Sequence, residues 1–241
     1  MNLAYNKIIP AKYGLLYIII ICLVNNCFSQ DTVKRRNRLT QNVLEEYFVL
    51  KSDKTIKQGL YQAIYGHDIA LASGDYFNNK QVGVWHFYDT NGRLVQNFDY
   101  SINAITYEEP DNYISGMHIK YSFDDTVGKQ DRVTKPMKIG GRCYGYIPYL
   151  LVFRLSDDYV NTDFTRFNAI LEILVSPGGR LADFKVHIQG ADDSERITSF
   201  SPDLIDERDR LFVPATINGK PVLCRIFIKC RITGGGLLDV Y

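Results

Sequence analysis

The sequence predicts an α+β fold, with an antiparallel β-meander first and a small C-terminal domain of one helix on an antiparallel sheet after it. Three observations carry this expectation. Short β-type runs separated by polar turns fill the stretch from Val43 to Tyr100. A clear hairpin surrounds Ser176-Pro177-Gly178-Gly179. Ser201-Pro202 then opens a polar-rich segment that reaches Leu211 and has the chemistry of a helix start.

The N-terminus has the layout of a secretory signal. Lys7 and Lys12 precede an apolar run from Gly14 to Val24, which is shorter than the roughly 20 residues that a membrane-spanning helix needs. Small residues at the −3 and −1 positions predict cleavage after Ser29, and the mature protein is then expected in the periplasm or the cell envelope. Two alternatives stay open: an uncleaved signal that anchors the chain in the inner membrane, and a lipid anchor on Cys27.

The charge balance argues against a nucleic-acid partner. Lys7 and Lys12 are the only charged residues before Ser29, so of 28 basic and 27 acidic residues the mature chain keeps 26 and 27, a net charge of −1. A hydrophobic content of 46% is ordinary for a globular protein, and the chain is long enough for one large domain or two small ones. No metal and no other cofactor is expected.

Three cysteines follow the predicted cleavage site. Cys224 and Cys230 lie six positions apart in one expected strand, hence about 20 Å apart, which is too far for a disulfide. Cys143 either pairs with one of them or, like them, is a small buried apolar residue. Both interpretations stay open.

The expected meander has five strands joined by turns whose residues tolerate positive φ or satisfy their own backbone. The strands are Val43 to Leu50, Ile56 to Tyr65, Ile69 to Phe77, Val82 to Tyr88 and Arg93 to Tyr100. Residues 30–42 are rich in lysine and arginine and have few apolar neighbours, so we expect a solvated, flexible leader there.

Part of this meander resembles MORN-type repeats, including their variant in bacterial exported proteins. The run from Gly74 to Leu94 has Gly, Tyr, Asn, a polar turn, Gly-x-Trp-x-x-Tyr and Asn-Gly-x-Leu in the family's order, and a weaker copy lies at Lys57 to Tyr61. The resemblance covers about residues 57–100 and implies an interaction surface. The aromatic residues that would contribute to it are Tyr76, Trp85 and Tyr88. The alternative is that these aromatic side chains only pack.

The C-terminal part resembles the C-terminal domain of TonB-type energy transducers over about Leu150 to Thr233. The last strand, Val222 to Ile232, alternates apolar with longer polar or aromatic residues. The residues that carry the resemblance are Leu174-Val175, Gly178-Gly179-Arg180-Leu181-Ala182-Asp183, Phe212-Val213-Pro214-Ala215 and Asn218-Gly219-Lys220-Pro221-Val222. The chain departs from that family because it has only eight prolines and therefore no long proline-rich span.

In that family an exposed strand edge captures an extended segment of an outer-membrane receptor. The resemblance implies that Arg225, Phe227 and Lys229 of the last strand contact such a partner. The implied partners are envelope proteins, including TonB-dependent outer-membrane receptors, and a second copy of the chain through an edge strand.

No catalytic residue is predicted, because the four histidines are widely separated and no nucleophile motif occurs. The leading hypothesis is a non-enzymatic envelope module that binds proteins by β-strand addition. The alternatives are an accessory of TonB-dependent transport held at the inner membrane, and an envelope hydrolase with an unrecognised site. The expected organisation is a signal peptide (1–29), leader (30–42), MORN-like β domain (43–125), linker (126–145), TonB C-terminal-like domain (146–233) and tail (234–241).

Overall fold

Two large antiparallel sheets dominate the computed structural model, which describes residues 31–110, 119–155, 167–190 and 194–240. The architecture is thus mostly antiparallel β-sheet, compatible with an α+β or a mostly β class. The expected signal peptide lies outside the described residues. In the described part of the chain, no helix is long and apolar enough to cross a membrane.

The first sheet has seven strands that lie side by side in sequence order, and every neighbouring pair is antiparallel. The strands are β1 (Thr32–Arg38), β2 (Val43–Leu50), β3 (Lys57–Tyr65), β4 (Ile69–Phe77), β5 (Lys80–Tyr88), β6 (Leu94–Asp99) and β7 (Ala104–Glu108). The antiparallel meander expected from Val43 to Tyr100 is confirmed. Its β4–β5 turn has Asn78 and Asn79 at positive φ, as a tight hairpin turn requires.

The leader expectation for residues 30–42 is wrong for Thr32–Arg38, which form the edge strand β1. The reason is long-range charge pairing on β2. Glu46 forms ion pairs with Lys34 at 2.6 Å and with Arg36 at 2.5 Å. These cross-strand pairs stabilise the basic segment as a strand beside β2.

The second sheet has the order β13-β12-β11-β17-β18, and β8 also pairs with β17. Its central hairpin and the last long strand lie where the sequence predicts them. The strands are β8 (Ile119–Phe123), β11 (Asn168–Val175), β12 (Leu181–Gln189), β13 (Glu195–Phe200), β17 (Cys224–Ile232) and β18 (Leu238–Asp239). Short strands complete the chain: β9 (Val133–Thr134), β10 (Met137–Lys138), β14 (Phe212–Val213), β15 (Ala215–Ile217) and β16 (Lys220–Val222).

The helix expected from Ser201 to Leu211 is replaced by two short 3-10 turns, Pro202–Leu204 and Glu207–Arg210. Ser201 does cap the first, because its hydroxyl accepts from the Asp203 N–H at 3.3 Å. Asp206 then caps a second turn by accepting from the Arg208 N–H at 3.0 Å. A capping side chain in mid-segment competes with a continuous helix, which explains the break. The described α-helix is α1 (Ile147–Val152).

The segment that leads into α1 packs against the first sheet, and α1 itself packs against the second. Tyr144 lies 5.8 Å from Phe87 and 6.2 Å from Tyr61 of the first sheet, measured between ring centroids. Tyr149 lies 5.5 Å from Phe184 of the second sheet. One cluster of buried side chains therefore includes residues of both sheets. The predicted division into two domains, joined by a linker at residues 126–145, stays a prediction.

Lys138, the last residue of β10, is a buried cation with 4% of its surface exposed. Its ammonium group donates to the Leu211 carbonyl at 3.3 Å and lies 5.0 Å from the centroid of the Phe212 ring. Burial lowers the pKa of Lys138 to about 8, and the charge of Asp209 offsets part of that effect. The amine therefore loses its proton more easily in the folded chain than in the unfolded chain.

Stability is expected to rise with pH above about pH 8 because of Lys138. Between pH 8 and the ordinary lysine pKa, the unfolded chain binds more protons than the folded one, so raising the pH favours folding. Lys138→Met is expected to raise the free energy of unfolding at pH 7 by about 1–3 kcal/mol and to flatten this pH dependence. Urea unfolding at pH 7 and pH 9 measures both effects, with Lys120→Met as the exposed control. A variant that is less stable and keeps the wild-type pH dependence would contradict the account.

Candidate functional site

The outer face of the second sheet carries a chain of charged contacts that crosses four strands and ends just beyond a fifth. Its central residue is Glu172 on β11, whose two oxygens lie 2.7 Å from Nε2 of His187 and 3.3 Å from Nε of Arg225. His187 also places Nδ1 2.9 Å from Glu195 on β13, and Arg225 pairs with Asp124, just after β8. These five residues are the charge ladder. Both ring nitrogens of His187 donate only when the ring is protonated.

The ladder forms because strand register places alternate residues of neighbouring strands on one face. Glu172 lies opposite Lys185 on one side and Phe227 on the other, so His187 and Arg225 reach it diagonally. The opposite face of the same strands is apolar and buried, with Leu171, Ile226 and Ile228 in the core. The sheet is therefore two-sided, with one face in the core and one outside it.

The structure brings the predicted contact residues Arg225, Phe227 and Lys229 together on this outer face. Phe227 and Lys229 are half-buried and line a shallow concavity of about 350 Å³. The other residues that line it are Lys120, Asn168, Ile170 and Gln189. The alternation predicted for the last strand is confirmed, because Cys224, Ile226, Ile228 and Cys230 all point inward.

The backbone of β17 is less accessible than the transducer resemblance implies. β17 pairs with β11 along one side, and β8 and β18 both pair with its other side. Its N–H and C=O groups are therefore already engaged over most of the strand. Arg225, Phe227 and Lys229 offer side chains on a face rather than an open edge.

β8 and β18 form one edge of this sheet, and the longer strand β13 forms the opposite edge. It pairs with β12 alone, and within the described residues no strand lies on its outer side. Ile197 is 52% exposed at the centre of this strand, on the same face as His187 and Glu195. Phe200 points to the other face and stacks on Phe184 at 5.3 Å, which fixes the strand against the core. An unpaired strand edge of this kind is available for a further strand.

The edges of the first sheet are better protected against strand pairing. β1 carries Lys34, Arg35, Arg36 and Arg38, and charged residues on an edge strand discourage further pairing. β7 has only five residues, and its pairing with β6 is interrupted by a register shift between Asn97 and Phe98. Pro110 follows shortly after its end. Compared with β1, β7 and β8, β13 thus has an exposed apolar residue at its centre and charged residues only at its start.

The three aromatic residues expected on the repeat surface have different positions. Trp85 is fully buried and stacks on Tyr61 with 5.3 Å between ring centroids, so it belongs to the core. Tyr76 packs edge-on against Trp85 at 5.2 Å and lines a cleft. Tyr88 is half-buried and lies three positions after Trp85 along β5, which places it on the opposite face. The three do not form one surface.

The thiols are poorly suited to nucleophilic chemistry. Cys143, Cys224 and Cys230 are buried and unpaired, so the disulfide that the sequence left open is not formed. Burial raises the pKa of Cys143 and of Cys230 to about 12 and that of Cys224 to about 11. A thiol reacts as the thiolate, so all three are expected to be inert near neutral pH.

Sequence reasoning missed most of the ladder and the β13 edge. Glu172 and His187 occupy outward positions on apolar strands, which is the one local signal that pointed to them. Their meeting depends on the register between β11 and β12. Glu195 and Asp124 join from other strands, so local sequence carries no sign of the contact.

Comparisons with models of known protein families, with curated proteins and with solved structures each gave no match to this chain.

Proposed function

We propose that this protein is an exported, non-enzymatic module of the cell envelope that binds an extended polypeptide segment by strand addition at β13. The observation that carries the proposal is the free, exposed edge of Glu195–Phe200. A segment added there would extend the second sheet by one strand. Its backbone would supply general affinity, and its side chains would supply selection.

The size of the edge suits a weak, reversible complex. Three of the six residues of β13 turn their backbone groups outward, so a partner strand would form about six hydrogen bonds. At about 1 kcal/mol net for each bond, and about 1 kcal/mol for covering Ile197, the gross gain is near the 8 kcal/mol of micromolar binding. Association costs reduce this value, so we expect micromolar affinity or weaker.

Charge and shape beside the edge favour a mixed polar and apolar segment. Glu195 and Arg196 lie at the start of β13, and Ile197 follows them. The charge ladder and the concavity at Phe227 and Lys229 continue the same face. A partner residue that points to this face would meet Ile197 first and the ladder next.

The envelope location and the class of partner rest on the sequence. The secretory signal layout and the resemblance to transducer C-terminal domains support binding to envelope proteins, including outer-membrane receptors. The resemblance to MORN-type repeats supports a second contact surface on the first sheet. A second copy of this chain is a competing occupant of the β13 edge.

The test is to capture binding proteins from an envelope extract with the immobilised mature chain and, in parallel, with its Ile197→Lys variant. A lysine at the centre of an edge strand opposes strand addition. We expect the variant to lose the specifically bound proteins while its thermal unfolding stays close to wild type. Hydrogen exchange on the purified complex should show new protection of the β13 amides.

Leu204→Lys is the matched control, because Leu204 is an exposed apolar residue of similar size, 59% exposed, in the 3-10 turn after the end of β13. It should capture the same proteins as wild type. Capture that is equal with Ile197→Lys, or protection confined to the first sheet, would overturn the proposal. Self-association that disappears in Ile197→Lys would assign the edge to a homodimer instead.

A further inference from the structure

A cleft of about 340 Å³ lies between the first sheet and the 3-10 turn at Glu207–Arg210. Four tyrosines line it: Tyr61, Tyr76, Tyr100 and Tyr144. Burial is the largest cause that raises the pKa of each, to about 12 for Tyr76, so the phenols are neutral at physiological pH. The wall is therefore aromatic, uncharged and capable of hydrogen bonding.

The chain already places one alkylammonium group against this wall. The Lys57 ammonium nitrogen lies 4.3 Å from the ring centroid of Tyr47, 5.2 Å from Tyr61 and 5.3 Å from Tyr76. It also pairs with a carboxylate oxygen of Glu45 at 3.4 Å. Cation–π contact together with one carboxylate is thus the means by which this protein holds an amine.

A second carboxylate in the cleft has no such cation. Asp209 is half-buried, and within the described residues its side chain accepts no hydrogen bond and forms no ion pair. Its pKa is raised, chiefly by burial. Its charge also contributes to the raised pKa of Tyr76, Tyr100 and Tyr144, as expected for a carboxylate close to those rings.

The neighbouring charges leave Asp209 as the unpaired one. Lys57 and Glu45 pair with each other, and Arg208 pairs with Asp206 at 3.4 Å. Lys138 attracts Asp209 electrostatically, but it does not line the cleft, and its ammonium group donates to the Leu211 carbonyl. A partly desolvated carboxylate without an ion-pair partner favours a cation.

We propose that this cleft binds a primary alkylammonium group, with the ammonium on the Asp209 carboxylate and the hydrocarbon stem against Tyr76 and Tyr100. The site repeats the arrangement of Lys57, with one carboxylate and several tyrosine faces. The amine belongs either to a small free molecule or to a lysine side chain of a peptide. This inference is independent of strand addition, which uses the other sheet.

The single tryptophan of the chain makes the site directly observable, because Trp85 contacts both Tyr61 and Tyr76. The probe is pentylamine, titrated into the mature chain and followed by tryptophan fluorescence, with pentanol as the neutral probe of the same shape. We expect a saturable change with pentylamine and none with pentanol. A blocked peptide with one central lysine, against the same peptide with norleucine, distinguishes a peptide source from a free amine.

Asp209→Asn keeps the shape and removes the charge, and it is expected to weaken pentylamine binding by about 10-fold or more. Tyr76→Leu should also weaken it, whereas Tyr76→Phe should retain it because the ring face remains. Glu207→Gln is the control, since Glu207 is an exposed acid of the same 3-10 turn. Circular dichroism checks that each variant is folded. Equal binding of pentanol, or wild-type affinity in folded Asp209→Asn, would overturn the proposal.

Discussion

Gln96→Leu is expected to lower the free energy of unfolding by about 3–5 kcal/mol, because one buried amide holds four hydrogen bonds. Its oxygen accepts from the N–H groups of Gly140 and Gly141 at 2.9 and 3.0 Å. Its nitrogen donates to Glu108 at 2.7 Å and to the Lys138 carbonyl at 3.0 Å. Leucine would leave the Gly140 N–H without a partner, and the Gly141 N–H and the Lys138 carbonyl would keep only their 3.3 Å bond to each other.

Urea unfolding of the two proteins gives the difference. Gln41→Leu, at an exposed glutamine of the β1–β2 turn, is the matched control and should change stability little. Gln96→Glu keeps the acceptor oxygen but places a second carboxylate beside Glu108, so its penalty should shrink at low pH, where the acids are protonated. A Gln96→Leu protein as stable as wild type would show that water or a shift of the backbone replaces the lost hydrogen bonds.

Gly74→Ala is expected to destabilise the fold by about 3 kcal/mol, since a Cβ there would overlap the Trp85 ring. An ideal Cβ at Gly74 lies 2.4 Å from three atoms of the indole. Trp85 cannot move aside easily, because it is fully buried and packs on Tyr61, Tyr76 and Tyr100. The close approach of strand and ring therefore requires glycine at this position.

A double mutant tests this reason directly. Trp85→Ala removes Cγ, Cδ1 and Cδ2, the ring atoms that the new methyl would meet, so Gly74→Ala should cost less in that background than in wild type. Gly178→Ala is the control, because the nearest atom to a Cβ at that position is a serine oxygen at 3.8 Å. Thermal or urea unfolding of the four proteins gives the coupling energy. Strict additivity would contradict the steric account.

The two structural predictions concern the same region as the proposed cleft. Gln96 fixes the segment after Lys138, which carries Tyr144 over the first sheet. Gly74 lets Trp85 lie against β4, and Tyr76 packs on that ring. Loss of either contact should therefore also disturb amine binding, whereas Asp209→Asn should affect binding with little loss of stability.

The strands of the first sheet followed from the sequence because their signals are local. Alternating apolar residues and turn residues such as Asn78 and Asn79 determine a hairpin within a few positions. The same holds for the β11–β12 hairpin and for the alternation along β17. These features depend on neighbours in the chain, so they could be predicted without knowing what the sheets pack against.

What only the tertiary structure decided depends on distant contacts. Tyr144 covers one face of the first sheet, so Trp85 lies in the core rather than on a surface. β8 and β18 both add to β17, which places β17 inside the sheet and makes β13 its longest edge strand. Asp209 lines one cleft with tyrosines of β3, of β4 and of the segment before α1, although these residues are far apart in the sequence. Local periodicity determines which residues share a face; long-range packing determines which face is covered and which edge stays free.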